Sequence, residues 1–259
     1  MEDFAKIVTT VALTVPRIGA AFAVAPFFSS SLLLGIPRRG FILSAALVLI
    51  PMLLPAPFPQ QLPSPPLLCA LVVKETLIGL LFGFGSSIGF WAMQAAGEYI
   101  DSQRGATAGA YFNPLLRGLS SPMGGLMLRF SIMLFLTTRG FVVFLSALLT
   151  SFEIYPLWNF LPELKMLKVN AIFLLAGQLF ELSVLYSAPL LVFFLLIDLG
   201  LGFMSRFVPS LNVFFFSLPV KSVVGLLLMS IYLPFIAWAF SRDLFSSESL
   251  SAWVRSILS

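Results

Sequence analysis

GEYIDSQRGATAGAYFNPLLRGLSSPMGG, residues Gly97 to Gly125, is the one long polar interruption in an otherwise apolar chain. It carries Glu98, Asp101, Arg104 and Arg117, with six glycines and two prolines. On its N-terminal side stand 22 uncharged residues, Thr76 to Gly97, and on its C-terminal side apolar segments broken only by Arg129 and Arg139. Non-helical backbone cannot face lipid without leaving amides unpaired, so such a segment must reach water or line something that does. It is therefore expected to sit at a passage through or beside a membrane.

Composition supports that frame. Hydrophobic residues make up 59% of the 259 and charged residues 10%, against about 25% charged in an average soluble domain. The apolar stretches are long and do not alternate, which suits helices; a transmembrane barrel alternates in pieces of about ten. The expected fold is an all-α integral membrane protein, with about six long hydrophobic helices forming kinked hairpins around the central polar loop. The start Met1-Glu2-Asp3 is acidic, the wrong opening for a cleaved signal peptide. A net charge of +4 is no nucleic-acid footprint. The chain has no histidine, which removes the commonest metal ligand and general base. Cys69 is the only cysteine, is expected to be a buried small hydrophobe, and excludes disulfide frameworks. No cofactor or metal is expected.

Taken in order, Phe4 to Phe28 is long enough to cross a bilayer core and carries Pro16-Arg17 at its middle. An arginine at that depth costs roughly 2.5 to 3.5 kcal/mol on insertion scales. Arg17 is thus expected either to pair with a neighbouring subunit's carboxylate or to line a pathway. Pro37-Arg38-Arg39-Gly40 makes a turn, Phe41 to Leu54 is a short apolar segment, and the prolines between Pro51 and Pro66 imply a stiff connector. Leu67 to Gly97 is the longest helical candidate. Within it Lys74 and Glu75 are sequence neighbours that point apart on a helix, so each is expected to need a different partner. Gly79 with Gly83, and Gly85 with Gly89, form small-xxx-small pairs on two faces, which favours neighbours on both sides in a multi-subunit bundle. Gly83-Phe84-Gly85 lacks the spacing and the preceding strand of a nucleotide loop.

Leu126 to Ser151 is expected to be another span, Phe152 to Lys168 a polar connector, and Val169 to Leu199 a span holding Glu181 and Asp198, with Pro189 a kink. Met204 to Lys221 is read as a loop or broken helix and Ser222 to Phe240 as the last span. In the tail Leu250, Trp253, Val254, Ile257 and Leu258 recur at amphipathic-helix spacing. The organisation is one helical domain over 1–259: N-terminal hairpins 1–96, polar loop 97–125, C-terminal hairpins 126–241 and amphipathic tail 242–259. Cations on alternate connections balance at five against six, so the positive-inside rule does not fix orientation.

Asp101 and Asp198 invite an intramembrane aspartyl protease, but Asp198 precedes Gly200 and Gly202, the reverse of that family's order. Glu98, Asp101 and Arg104 at i, i+3 and i+6 form a charge relay or a salt-bridge ladder along one helix edge. A secondary transporter with a midplane site on broken helices is the alternative reading, though no inverted repeat is visible.

LGFMSRFVPSLNVFFFSLPVKS (Leu201 to Ser222), IDSQRGAT (Ile100 to Thr107) and Lys74-Glu75 ahead of a glycine-rich helix resemble the type III secretion export-gate family. Its members are the SctT proteins (YscT, SpaR, HrcT) of injectisomes and flagellar FliR. Arg17 with Ala25-Pro26, Ile36-Pro37-Arg38, and Ser187-Ala188-Pro189 before Asp198 add to the resemblance. The motifs at Ser205 to Phe207 and Gln103 to Thr107 are closer to the injectisome branch. Arg139-Gly140 resembles a family position but is assigned no role.

The resemblance implies a non-enzymatic, multi-pass component of a protein-export channel in the bacterial inner membrane, through which unfolded secreted proteins pass. It implies partners of the SctR and SctS types, with SctU- and SctV-type proteins nearby, contact with membrane lipid, and no nucleic acid. It also implies a plug formed by the central loop: Gly105, Ala106, Thr107, Ala108, Gly109, Ala110, Tyr111, Phe112, Asn113, Pro114, Leu115, Leu116 and Arg117. Small flexible residues with a few large apolar ones suit a seal that must yield to a passing chain. Arg17, Lys74, Glu75, Glu98, Asp101, Arg104, Asp198, Arg206 and Lys221 are the candidates for charge pairing within the membrane.

Overall fold

The computed structural model describes residues 2–28, 40–47, 64–105, 121–158, 169–208 and 212–244. The plug candidates beyond Gly105, most of the proline-rich connector and the amphipathic tail lie outside them. The described residues contain no strand. The helices are α1 (Glu2–Val24), α2 (Pro65–Gln103), α3 (Pro122–Thr137), α4 (Gly140–Ile154), α5 (Val169–Phe207) and α6 (Val213–Leu244), with a 3-10 turn at Pro26–Phe28 and a helical segment over 40–47. Among the described residues three helices are long and apolar enough to cross a membrane, and α3 with α4 make a fourth if that broken pair is one span. The protein is an all-α membrane protein.

Several boundaries differ from the sequence expectation. Helix α2 runs on to Gln103, so Gly97 to Gln103 belong to it and not to the polar loop. Its end is set by Gly105 at φ +77°, a left-handed position that glycine takes without strain, while the Arg104 amide still donates to the Ile100 carbonyl at 3.0 Å. Helix α3 then starts at Pro122, whose fixed φ suits a first turn. Ser121 caps it, accepting from the Gly124 amide at 2.9 Å.

Leu126 to Ser151 is two helices, not one. Arg139 adopts φ +62° before α4, and a left-handed residue breaks the run of backbone hydrogen bonds. Much of Met204 to Lys221 is helical, in the last turn of α5 and the first turns of α6. Pro219 sits inside α6 and does not end it, as membrane helices tolerate. Cys69 is exposed rather than buried. An apolar membrane helix satisfies its side chains in lipid as well as in protein, so hydrophobicity alone could not tell the two apart.

The chain divides into two compact units, Met1–Ile88 with Arg139–Leu175 in one and Gly89–Thr138 with Ala176–Leu244 in the other. In the first, α1 lies directly on the glycines of α2. A Cβ added at Gly83 would stand 2.5 Å from the Ala21 carbonyl oxygen, and one at Gly79 would meet the Arg17 carbonyl. This face of α2 is thus filled from within the chain. Around it Phe22, Phe27, Phe28, Phe41, Phe82 and Phe144 form an aromatic core, with ring centroids 4.5 Å apart for Phe22 and Phe28 and 5.2 Å for Phe82 and Phe144. Such pairs add roughly 0.5 to 1.5 kcal/mol each beyond area burial. In the second unit a Cβ at Gly97 would lie 2.6 Å from Gly124, so α2 and α3 meet backbone to backbone. Phe90 stacks on Phe135 and Phe240, which ties α2, α3 and α6 into one core.

Candidate functional site

The second unit concentrates polar chemistry where the central loop leaves and re-enters the helices. Asp101, in the last turn of α2, is fully buried. One carboxylate oxygen accepts from the Met123 amide at 2.8 Å and from the Ser121 hydroxyl; the other pairs with Arg104 at 2.7 Å. A carboxylate at a helix N-terminus also meets the positive end of the helix dipole, worth about 0.3 to 1 kcal/mol and up to ~2 where partly buried. Asp101 therefore binds both ends of the loop, Arg104 as it departs and Ser121 to Met123 as it returns.

Lys221 braces the same place from α6. Its ammonium donates to the Gln103 carbonyl at 3.1 Å and pairs with Asp198 of α5 at 2.6 Å. That carbonyl is among the last of α2, where the helix leaves acceptors unmatched and favours a cation. Space for a side chain at Gly105 is taken by Leu218. Asp101, Arg104, Asp198 and Lys221 are thus brought together at the base of residues 106–120. Glu98 is not in this network. It accepts from Gln94 at 2.9 Å, and the edge of Glu98, Asp101 and Arg104 is not a continuous ladder. Arg206 is exposed in the last turn of α5. The two aspartates each hold a cation of their own, unlike a protease dyad that shares a proton.

The first unit holds a separate cluster. Arg17 and Glu75 are both fully buried and pair at 2.5 Å. The other guanidinium nitrogens donate to the carbonyls of Ser151 at 2.8 Å and Tyr155 at 2.9 Å, the C-terminal end of α4, and the group lies 4.1 Å from the centroid of the Phe152 ring. Lys74 pairs with Glu75 at 2.8 Å and donates to the Leu157 carbonyl at 3.0 Å. Two expectations are corrected here. The carboxylate that meets Arg17 comes from its own chain, 58 positions on. Lys74 and Glu75 share an ion pair despite being neighbours, because a long lysine stem can bend back over the next residue while Glu75 offers its second oxygen to Arg17.

Sequence reading missed Ser121, the Met123 amide and the carbonyls of Gln103, Ser151 and Tyr155. Ser121-Pro122 carries the signature of a capped helix start, so that residue was findable. The backbone groups were not, since every residue has them.

Helices of this length and apolarity, with two buried charge clusters between them, define an all-α helical membrane protein. The family profile described as "Bacterial export proteins, family 1" matches residues 8–247, and the chain belongs to that family, the SctT/FliR family of type III export proteins. It is 36% identical over 224 residues to the Yop proteins translocation protein T of Yersinia pestis, covering 86% of this chain and 85% of that protein. It is 30% identical over 253 residues to the surface presentation of antigens protein SpaR of Salmonella typhimurium, covering 95% and 92%. The flagellar biosynthetic protein FliR of Caulobacter vibrioides is 28% identical over 230 residues, covering 87% and 89%.

Proposed function

We propose that this chain is a non-enzymatic component of the type III export gate in the bacterial inner membrane, and that Gly105 to Arg117 plugs the export pore at rest. The reading rests on one observation: a single buried carboxylate, Asp101, binds the residues at which the loop departs and returns. A plug has to move while its frame stays packed. With both loop ends clamped to one unit, residues between them can leave a lumen without separating α2 from α3, whose backbones touch at Gly97 and Gly124. The intervening sequence supplies small residues for compliance, and Tyr111, Phe112, Leu115 and Leu116 for the seal.

Family membership favours this over a secondary transporter, and type III relatives belong to multi-protein export machinery. The partners we assign are SctR- and SctS-type membrane proteins, with SctU- and SctV-type proteins adjacent and unfolded secreted proteins as cargo. The test is deletion of Gly105 to Arg117 in the assembled complex. Assembly is expected to persist while the membrane becomes leaky to ions and small solutes. Unchanged conductance in the assembled deletion variant overturns the plug.

A further inference from the structure

Helix α3 has two faces of different character. Met123, Met127, Ser131, Ile132 and Phe135 are buried, and the helix packs on α6. The outward side carries Leu126, Arg129, Met133 and Leu136, at spacings of three, four and three. The three apolar members are 45%, 52% and 58% exposed, and Arg129 is exposed among them. This alternation repeats every 3.5 residues, the seam by which one helix seats against another.

Arg129 is the one charged residue between Pro122 and Thr137, and no carboxylate among the described residues pairs with it. Arg17, Lys74 and Lys221, cations inside helices whose side chains the structure describes, are each matched by a carboxylate, the first two by Glu75 and the third by Asp198. A guanidinium set among leucines and methionine in an apolar helix calls for an acid at the same depth. Its planar fork favours a carboxylate that it can grip with two hydrogen bonds.

We infer that the Leu126, Arg129, Met133 and Leu136 face of α3 is a docking seam for a membrane helix of a different subunit, one presenting Asp or Glu opposite Arg129. The inference rests on the multi-protein assembly proposed above and adds the contact point and its chemistry. Apolar contact along the seam supplies packing, and the charge fixes which helix fits and in what register, because a slip leaves Arg129 facing hydrocarbon.

The full chain, tagged and co-expressed with its neighbouring membrane proteins, is purified in mild detergent and its complex weighed by native mass spectrometry. Arg129→Lys is expected to assemble. Arg129→Glu should reduce the co-purified partner at least tenfold, with recovery when the facing acid of the partner is changed to arginine. Full assembly of Arg129→Glu overturns the seam and leaves the plug reading standing. Wild-type chain recovered free of any partner overturns the assembly reading together with it. A photo-crosslinking residue at Met133, which leaves Arg129 intact, gives a second measurement. Adducts with a different membrane protein support the seam, whereas adducts confined to lipid or to a second copy of this chain overturn it.

Discussion

The Arg17 cluster of the first unit and the Asp101 cluster of the second use the same materials, two cations and one or two acids between apolar helices, yet they are built to different ends. Arg17 and Glu75 are wholly buried, and every direction around the guanidinium is filled by a carboxylate, two helix-end carbonyls or an aromatic ring. Nothing about that arrangement can shift without stranding a charge. The Asp101 cluster instead binds the two ends of a loop, and its outlying pair, Lys221 with Asp198, has an acid side chain 39% exposed. The first cluster locks helices together. The second joins the end of α2 to the start of α3 and to α5 and α6.

Substitutions can break this contrast, beginning with the largest effect. Arg17→Ala leaves Glu75 buried with only Lys74 beside it and two carbonyls without their donor. Removing one partner of a buried pair costs about 3 to 5 kcal/mol, so the variant should fail to accumulate in membranes. A normal level on an immunoblot would show that the first cluster is not a lock. Gly83→Leu should come next, because a side chain there meets the Ala21 backbone. Overpacking of this kind costs about 1 to 3 kcal/mol, read as a lower thermal midpoint in detergent. Gly177→Ala, where a Cβ meets nothing within 4 Å, should leave that midpoint unchanged or raise it.

Two smaller effects sharpen the second cluster. Ser121→Ala removes the cap of α3 and one donor to Asp101, worth about 1 kcal/mol. Faster amide exchange should appear at Met123 and Gly124 while the first unit keeps its protection. Asp198→Asn should be mildest, at or below about 1 kcal/mol, because the exposed side of that pair is screened. A loss of stability as large as that of Arg17→Ala would erase the distinction between the two clusters.

Much of this was legible in the chain. An apolar composition and long uncharged runs fix helices and a membrane, since backbone amides in lipid must pair within a helix. The polar stretch after Gly97 marked the position of the loop, whereas the helix start at Ser121-Pro122, four residues before the expected span at Leu126, went unread despite its capping signature. The break at Arg139 was hidden, because Thr137-Thr138-Arg139-Gly140 lies in an apolar run and a left-handed arginine has no compositional signature. So was the true end of α2, where helix propensity carries Gly97 to Gln103 past the first polar residues until Gly105 turns the chain.

By itself the sequence determined the class of protein, the approximate position of its long apolar helices though not how many of them are long enough to span, and which charged residues had to be answered. Hydrophobicity and spacing are local properties, and a linear pattern records them. Tertiary structure alone decided who answers whom: Glu75 for Arg17 across 58 positions, Asp198 for Lys221 across 23, and Asp101 for both ends of its loop. Those choices depend on how closely backbones approach at Gly79, Gly83, Gly97 and Gly124 and on carbonyls and amides that every residue carries, so no residue type announces them.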